Sequence, residues 1–137
     1  MDKNRARKLE NRMIREYGIG IRIHINPRPL DLEIFGELRD QPSGRVEIGA
    51  ARDAAKENNL EFAAFDMSKP GDPPFSEKIY IWGKSIDLRD MSKDIQDEEL
   101  EKWIVDECRK FTGDLKNAED ALKRMLTRKI PEAKASI

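Results

Sequence analysis

Two stretches between residues 19 and 38 change character from one residue to the next, a third between 60 and 83 stays apolar, and stretches with a helical repeat flank them. In the first, Ile19, Ile21, Ile23 and Ile25 alternate with Gly20, Arg22, His24 and Asn26, as in a strand with one face buried and the other in water. Pro27-Arg28-Pro29 predicts a turn, since each proline fixes φ and removes a backbone donor. A second alternating run places Leu30, Leu32, Ile34 and Leu38 on one side and Asp31, Glu33, Phe35, Glu37 and Arg39 on the other. The two runs predict a hairpin. A slip of one residue would turn a whole isoleucine face outward, so the pattern fixes which side chains share a face. With a four-residue loop at 27–30, Ile25 falls opposite Leu32, Ile23 opposite Ile34, His24 opposite Glu33 and Arg22 opposite Phe35.

The third stretch is apolar on both faces. In Leu60–Met67, Leu60, Phe62 and Ala64 point one way while Ala63, Phe65 and Met67 point the other, and Lys78–Gly83 continues in the same manner. Two central strands covered on both sides are expected, joined by the proline-rich loop from Ser68 to Glu77. Before them, Asp40–Gly44 predicts a turn, Arg45–Gly49 a short strand and Ala50–Asn58 a helix closed by Asn58 and Asn59.

At the ends the repeat lengthens. Leu9, Met13 and Tyr17, with Ile14 beside them, predict an amphipathic helix over residues 2–17 that stops at Gly18 and Gly20. Leu100, Trp103, Ile104, Cys108 and Phe111 predict another, opened by Asp94 or Asp97 with Glu98 and Glu99 in its first turn. Gly113 is expected to end it. Asp114 would cap a last helix with Leu115, Ala118, Leu122, Met125 and Leu126 inward, before a flexible tail at 131–137. The expected fold is a single α+β domain over residues 1–130: a mainly antiparallel sheet of four or five strands with N- and C-terminal helices packed on it.

Charged residues make up 39% of the 137 and apolar ones 38%, enough for a core with the charge spread over helix faces and loops. Against 27 acidic side chains stand 26 basic ones, so no global field draws the chain to nucleic acid or membrane. No apolar run approaches the ~20 residues that span a bilayer. With one cysteine and no basic-apolar-small leader opening the sequence, a reducing, cytoplasmic location is expected. One histidine and one cysteine also leave few routes to a zinc site, and neither a metal nor a cofactor is expected.

Candidate chemistry is sparse. His24 across from Glu33 is one possibility, because a facing carboxylate orients an imidazole for acid–base work, although an exposed cross-strand pair is the simpler reading. Asp66, with Glu61, Asp72 and Glu77 around the same loop, is a second. Carboxylates at strand ends hold Mg²⁺ in many hydrolases and nucleases, whereas an aspartate that caps loop amides looks the same in sequence. Arg5, Arg7, Lys8, Arg12 and Arg15 on the first helix are candidate phosphate contacts, interrupted by Glu10 and Glu16. Phe75 in the stiff loop, Phe35 on the polar face of the hairpin and Arg22 beside it are candidate anchors for a protein partner. The function expected first is therefore a non-catalytic binding or regulatory role through protein–protein contacts. Nucleic-acid binding through the basic helix comes second and Mg²⁺-dependent hydrolysis third.

Overall fold

Gly18 ends the first helix, because its φ of 67° lies where glycine alone is unstrained, and its N–H donates to Ile14 O at 2.9 Å. That helix, α1 (Lys3–Tyr17), opens on Asp2, whose carboxylate accepts from the Arg5 N–H at 2.8 Å. The remaining elements are β1 (Gly20–Ile25), β2 (Pro29–Leu38), α2 (Ile48–Glu57), β3 (Glu61–Asp66), β4 (Lys78–Asp87), a 3-10 turn (Met91–Lys93) and α3 (Asp97–Ala135). The computed structural model describes residues 1–38, 48–74 and 78–135. The four strands form one antiparallel sheet in the order β1-β2-β4-β3, and the class is α+β, with helices at both chain ends and one in the middle. No helix among the described residues is long and apolar enough to cross a membrane.

The chain divides into two compact units: Met1–Gly36 with Gly83–Gly113, and Glu37–Trp82 with Asp114–Ile137. In the first, Ala6, Leu9 and Met13 of α1 are buried, and so are Ile19, Ile21, Ile23, Leu32 and Ile34 of the hairpin. α1 lies against β1. Leu100, Ile104, Cys108 and Phe111 from α3 complete this core. Arg5 Nε–H donates to Glu101 Oε1 at 2.6 Å and Arg109 Nε–H donates to Tyr17 Oη at 2.9 Å, so α1 and this part of α3 run parallel.

In the second unit, Ala50, Ala51, Ala54 and Ala55 put a smooth face of α2 against β3, and all four are buried. Trp82, 1% exposed, donates its indole N–H to Ala51 O at 3.0 Å. Burial of the ring thus leaves no polar atom unpartnered. Asn59, at a φ of 56°, closes α2 as expected, with Leu60 N–H donating to Ala55 O at 2.8 Å. Ala118, Ala121 and Leu122 of α3 are buried here as well.

Four expectations are corrected. The hairpin keeps its faces but not its register: Ile23 pairs with Leu32, Ile21 with Ile34, His24 with Asp31, Arg22 with Glu33 and Gly20 with Phe35. The turn is tighter than a four-residue loop. Asn26 N–H donates to Arg28 O at 3.0 Å, the Asn26–Pro27 peptide is cis, and the strand resumes at Pro29. Glu33 is therefore not the residue opposite His24, nor Phe35 the one opposite Arg22.

Among the described residues β3 stands at one end of the sheet rather than inside it. α3 does not stop at Gly113 but runs unbroken for 39 residues. Phe111, Leu115, Ala118 and Leu122 recur at spacings of four, three and four across that glycine, and one continuous stripe outweighs the ~1 kcal/mol a helical glycine costs. The backbone is helical to Ala135, beyond the expected start of the tail. Finally, Ile48 and Gly49 belong to α2, whereas residues 39–47, with the expected turn and the start of the short strand, lie outside the described residues.

Candidate functional site

The corrected register assembles a polar group on the outward face of the hairpin. Odd-numbered residues of β1 point into the core, so Arg22 and His24 point out, as do Asp31, Glu33 and Phe35 of β2. His24 Nδ1 lies 2.5 Å from Asp31 Oδ1. One ligand atom from each of His24, Asp31 and Glu33 falls within 4.8 Å of the other two. A shallow depression beside them is lined by Asp31, Glu33, Ser85, Asp87 and Arg89. There the Asp87 carboxylate accepts from the Arg89 side chain at 2.7 Å and from its backbone N–H at 2.9 Å, and these bonds lower its pKa to about 2.

Phe35 shares this outward face but is half-buried. Its ring lies across Gly20, where a Cβ would stand 2.2 Å from the ring, and its own Cβ is 3.7 Å from the Cβ position of Gly83. The ring fills the trough left open at Gly20, while Gly83 lies against the Cβ and backbone of Phe35 rather than its ring. Phe75, the other aromatic candidate, lies outside the described residues, as does Glu77.

The five cations of α1 differ in what they touch. Arg5 is bound to Glu101 and also ion-pairs with Asp97 and Glu98 at 3.5 Å, contacts that raise its pKa. Arg12 pairs with Glu16 at 2.9 Å. Arg7, Lys8 and Arg15 are exposed. Asp66 accepts from Ser68 N–H at 2.9 Å, the loop-capping role that aspartate commonly plays after a strand, while Glu61 and Asp72 are exposed.

A further exposed surface is the outer face of β3. Phe62 stacks on Tyr80 with centroids 5.9 Å apart and Arg52 of α2 lies over it, so Phe62, Tyr80 and Trp82 share the face that α2 covers. Alternation places Ala63 and Phe65 of β3, with Ile79 and Ile81 of β4, on the opposite face. Phe65 is 48% exposed and Met67, just beyond the strand, 50%. Ala64 and the charged ends Glu61 and Asp66 are exposed as well. The two-faced apolar pattern signals this surface, although the same pattern fits a strand covered on both sides. Compared with family models, with curated proteins and with solved structures, the chain gives no match in any of the three.

Proposed function

We propose that the protein is a small binding protein that acts through protein–protein contacts, and that β3 is its contact element. The occupant is an extended segment of a partner polypeptide that adds to the edge of β3, with apolar side chains at alternate positions and basic residues at its ends. The observation that carries this reading is a strand that stands at the sheet edge among the described residues and leaves Phe65 and Met67 about half exposed. Such an edge offers backbone donors and acceptors to a strand, and alternate side chains supply the selectivity.

Charge selects the kind of partner. Glu61 and Asp66 bracket the strand. Two copies of β3 paired antiparallel about their centre would set Glu61 of one opposite Asp66 of the other at both ends, and like charges facing across a ladder are unfavourable. Basic residues at the ends of a foreign segment meet the same carboxylates favourably.

Burying the exposed half of both apolar side chains is worth about 2 kcal/mol, or about thirtyfold in affinity. The test is a panel of ten-residue probes with isoleucine or valine at alternate positions, ending in lysine or glutamate, titrated against the chain by fluorescence anisotropy. Lysine-ended peptides should bind, glutamate-ended ones should bind more weakly, and Phe65→Ser with Met67→Ser should weaken binding about thirtyfold with the circular dichroism spectrum unchanged. Wild-type affinity in the double variant would overturn the proposal, as would a dimer that requires the same two residues.

A further inference from the structure

We infer that His24, Asp31 and Glu33 form a binding site for a divalent transition-metal ion of the zinc type. The site follows from the strand pairing itself. His24 and Asp31 are direct cross-strand partners, and Glu33 lies two residues along β2 from Asp31, so all three side chains leave the same face of the hairpin. Two antiparallel strands hold the three donors, which makes the triangle part of the fold rather than of a loop.

The donor set names the ion. An imidazole nitrogen with two carboxylate oxygens suits Zn²⁺ and its neighbours, whereas Mg²⁺ prefers oxygen alone and keeps much of its water. Zinc takes such ligands at about 2.0–2.2 Å, which at tetrahedral angles separates neighbouring donors by about 3.3–3.6 Å. His24 Nδ1 and Asp31 Oδ1, 2.5 Å apart, must part by about 1 Å for an ion to replace the proton between them, a movement that two half-exposed side chains allow. The imidazole then carries its proton on Nε2 and stays neutral. His24 and Asp31 are 45% and 43% exposed at the side chain, so water can complete the coordination.

Two guanidinium groups border the triangle. Arg22 is the cross-strand partner of Glu33, and Arg89 is held by the Asp87 carboxylate, which offsets its charge beside Asp31. Asp31, Glu33 and Asp87 together outnumber these two cations, and the local balance still favours a positive ion.

The experiment uses the full chain, prepared without a histidine tag, so that His24 is the one imidazole present. Zinc chloride is titrated in, followed by the ring resonances of that histidine in NMR spectra and by calorimetry. One ion per chain should bind and shift the His24 ring signals, magnesium chloride should leave them in place, and His24→Gln should abolish the binding. Asp31→Asn and Glu33→Gln should each weaken it about tenfold to hundredfold, while Glu119→Gln, far along α3, should leave it unchanged. Ring signals that do not move with millimolar zinc would overturn the inference. So would wild-type affinity in the His24→Gln variant, which is itself sufficient should either carboxylate variant fail to fold, because the ion would then be held adventitiously by other carboxylates.

Discussion

Phe35 and Gly20 should behave as one structural unit, and a double-mutant cycle measures how strongly. Gly20 has no positive φ, so the Phe35 ring is what leaves no room for a side chain there: a Cβ would lie 2.2, 2.5 and 2.8 Å from three ring atoms. Gly20→Ala must therefore swing the ring out of its trough. A phenylalanine buries about 150–250 Å². If about 100 Å² of that contact is lost, the upper bound is about 2.5 kcal/mol at ~25 cal/mol per Å². Alanine recovers about 0.5–1 kcal/mol of the entropy that a strand glycine loses. Gly20→Ala alone should thus cost about 1–2 kcal/mol, and Phe35→Ala a similar amount. Once Phe35 is alanine, however, Gly20→Ala should be neutral or stabilising by about 0.5 kcal/mol. The coupling, about 1–2.5 kcal/mol, is read from urea denaturation of the four proteins with the slopes held common. Costs that add within about 0.5 kcal/mol would refute the trough and return Phe35 to the free surface.

Three further outcomes are expected. Gly113→Ala should stabilise the chain by about 1 kcal/mol and raise its thermal midpoint by a few degrees, because the glycine is exposed, its φ is not positive and a Cβ there meets open space; destabilisation would contradict a continuous α3. Cys108 is fully buried, which pushes its thiol pKa up to about 12, so it should react with a disulfide reagent at pH 8 only in denaturant, and rapid labelling of the native chain would contradict its placement. Asp87, lowered to about 2 by hydrogen bonds from Arg89, contributes to stability above the ordinary aspartate range, and that contribution is lost as pH falls from about 4 towards 2. A carboxyl NMR titration should find that low midpoint and a partial rise in Arg89→Gln, because the backbone N–H of residue 89 still donates to Asp87.

The period of two was enough to assign the side chains from Ile19 to His24 and from Asp31 to Leu38 to their faces, since burial enforces parity, but not Leu30, which is half-buried beside the register shift next to the turn. Register was not legible, because a slip of two residues preserves parity, and the compact turn at Asn26–Arg28 made that choice. With it went the partner of His24, which is Asp31 and not Glu33. The apolar run at residues 60–67 was legible as a strand but not as an edge: alternation records how the two faces of a strand differ and is silent on how many neighbours it has. The pattern alone therefore predicts cover for Phe65 and Met67, which are about half exposed. Gly113 looked like a helix end because glycine often is one, and the apolar stripe continuing past it was the stronger signal.

The central claim is that the edge of β3 receives an extended, basic-ended segment. Amide hydrogen exchange of the chain, alone and with the lysine-ended isoleucine peptide in excess, tests it most directly. A strand added to that edge protects outward-directed amides between Glu61 and Met67 and leaves α1 and the β1–β2 hairpin unchanged. Exchange in β3 that the bound peptide does not slow, or protection confined to α1, would contradict the account.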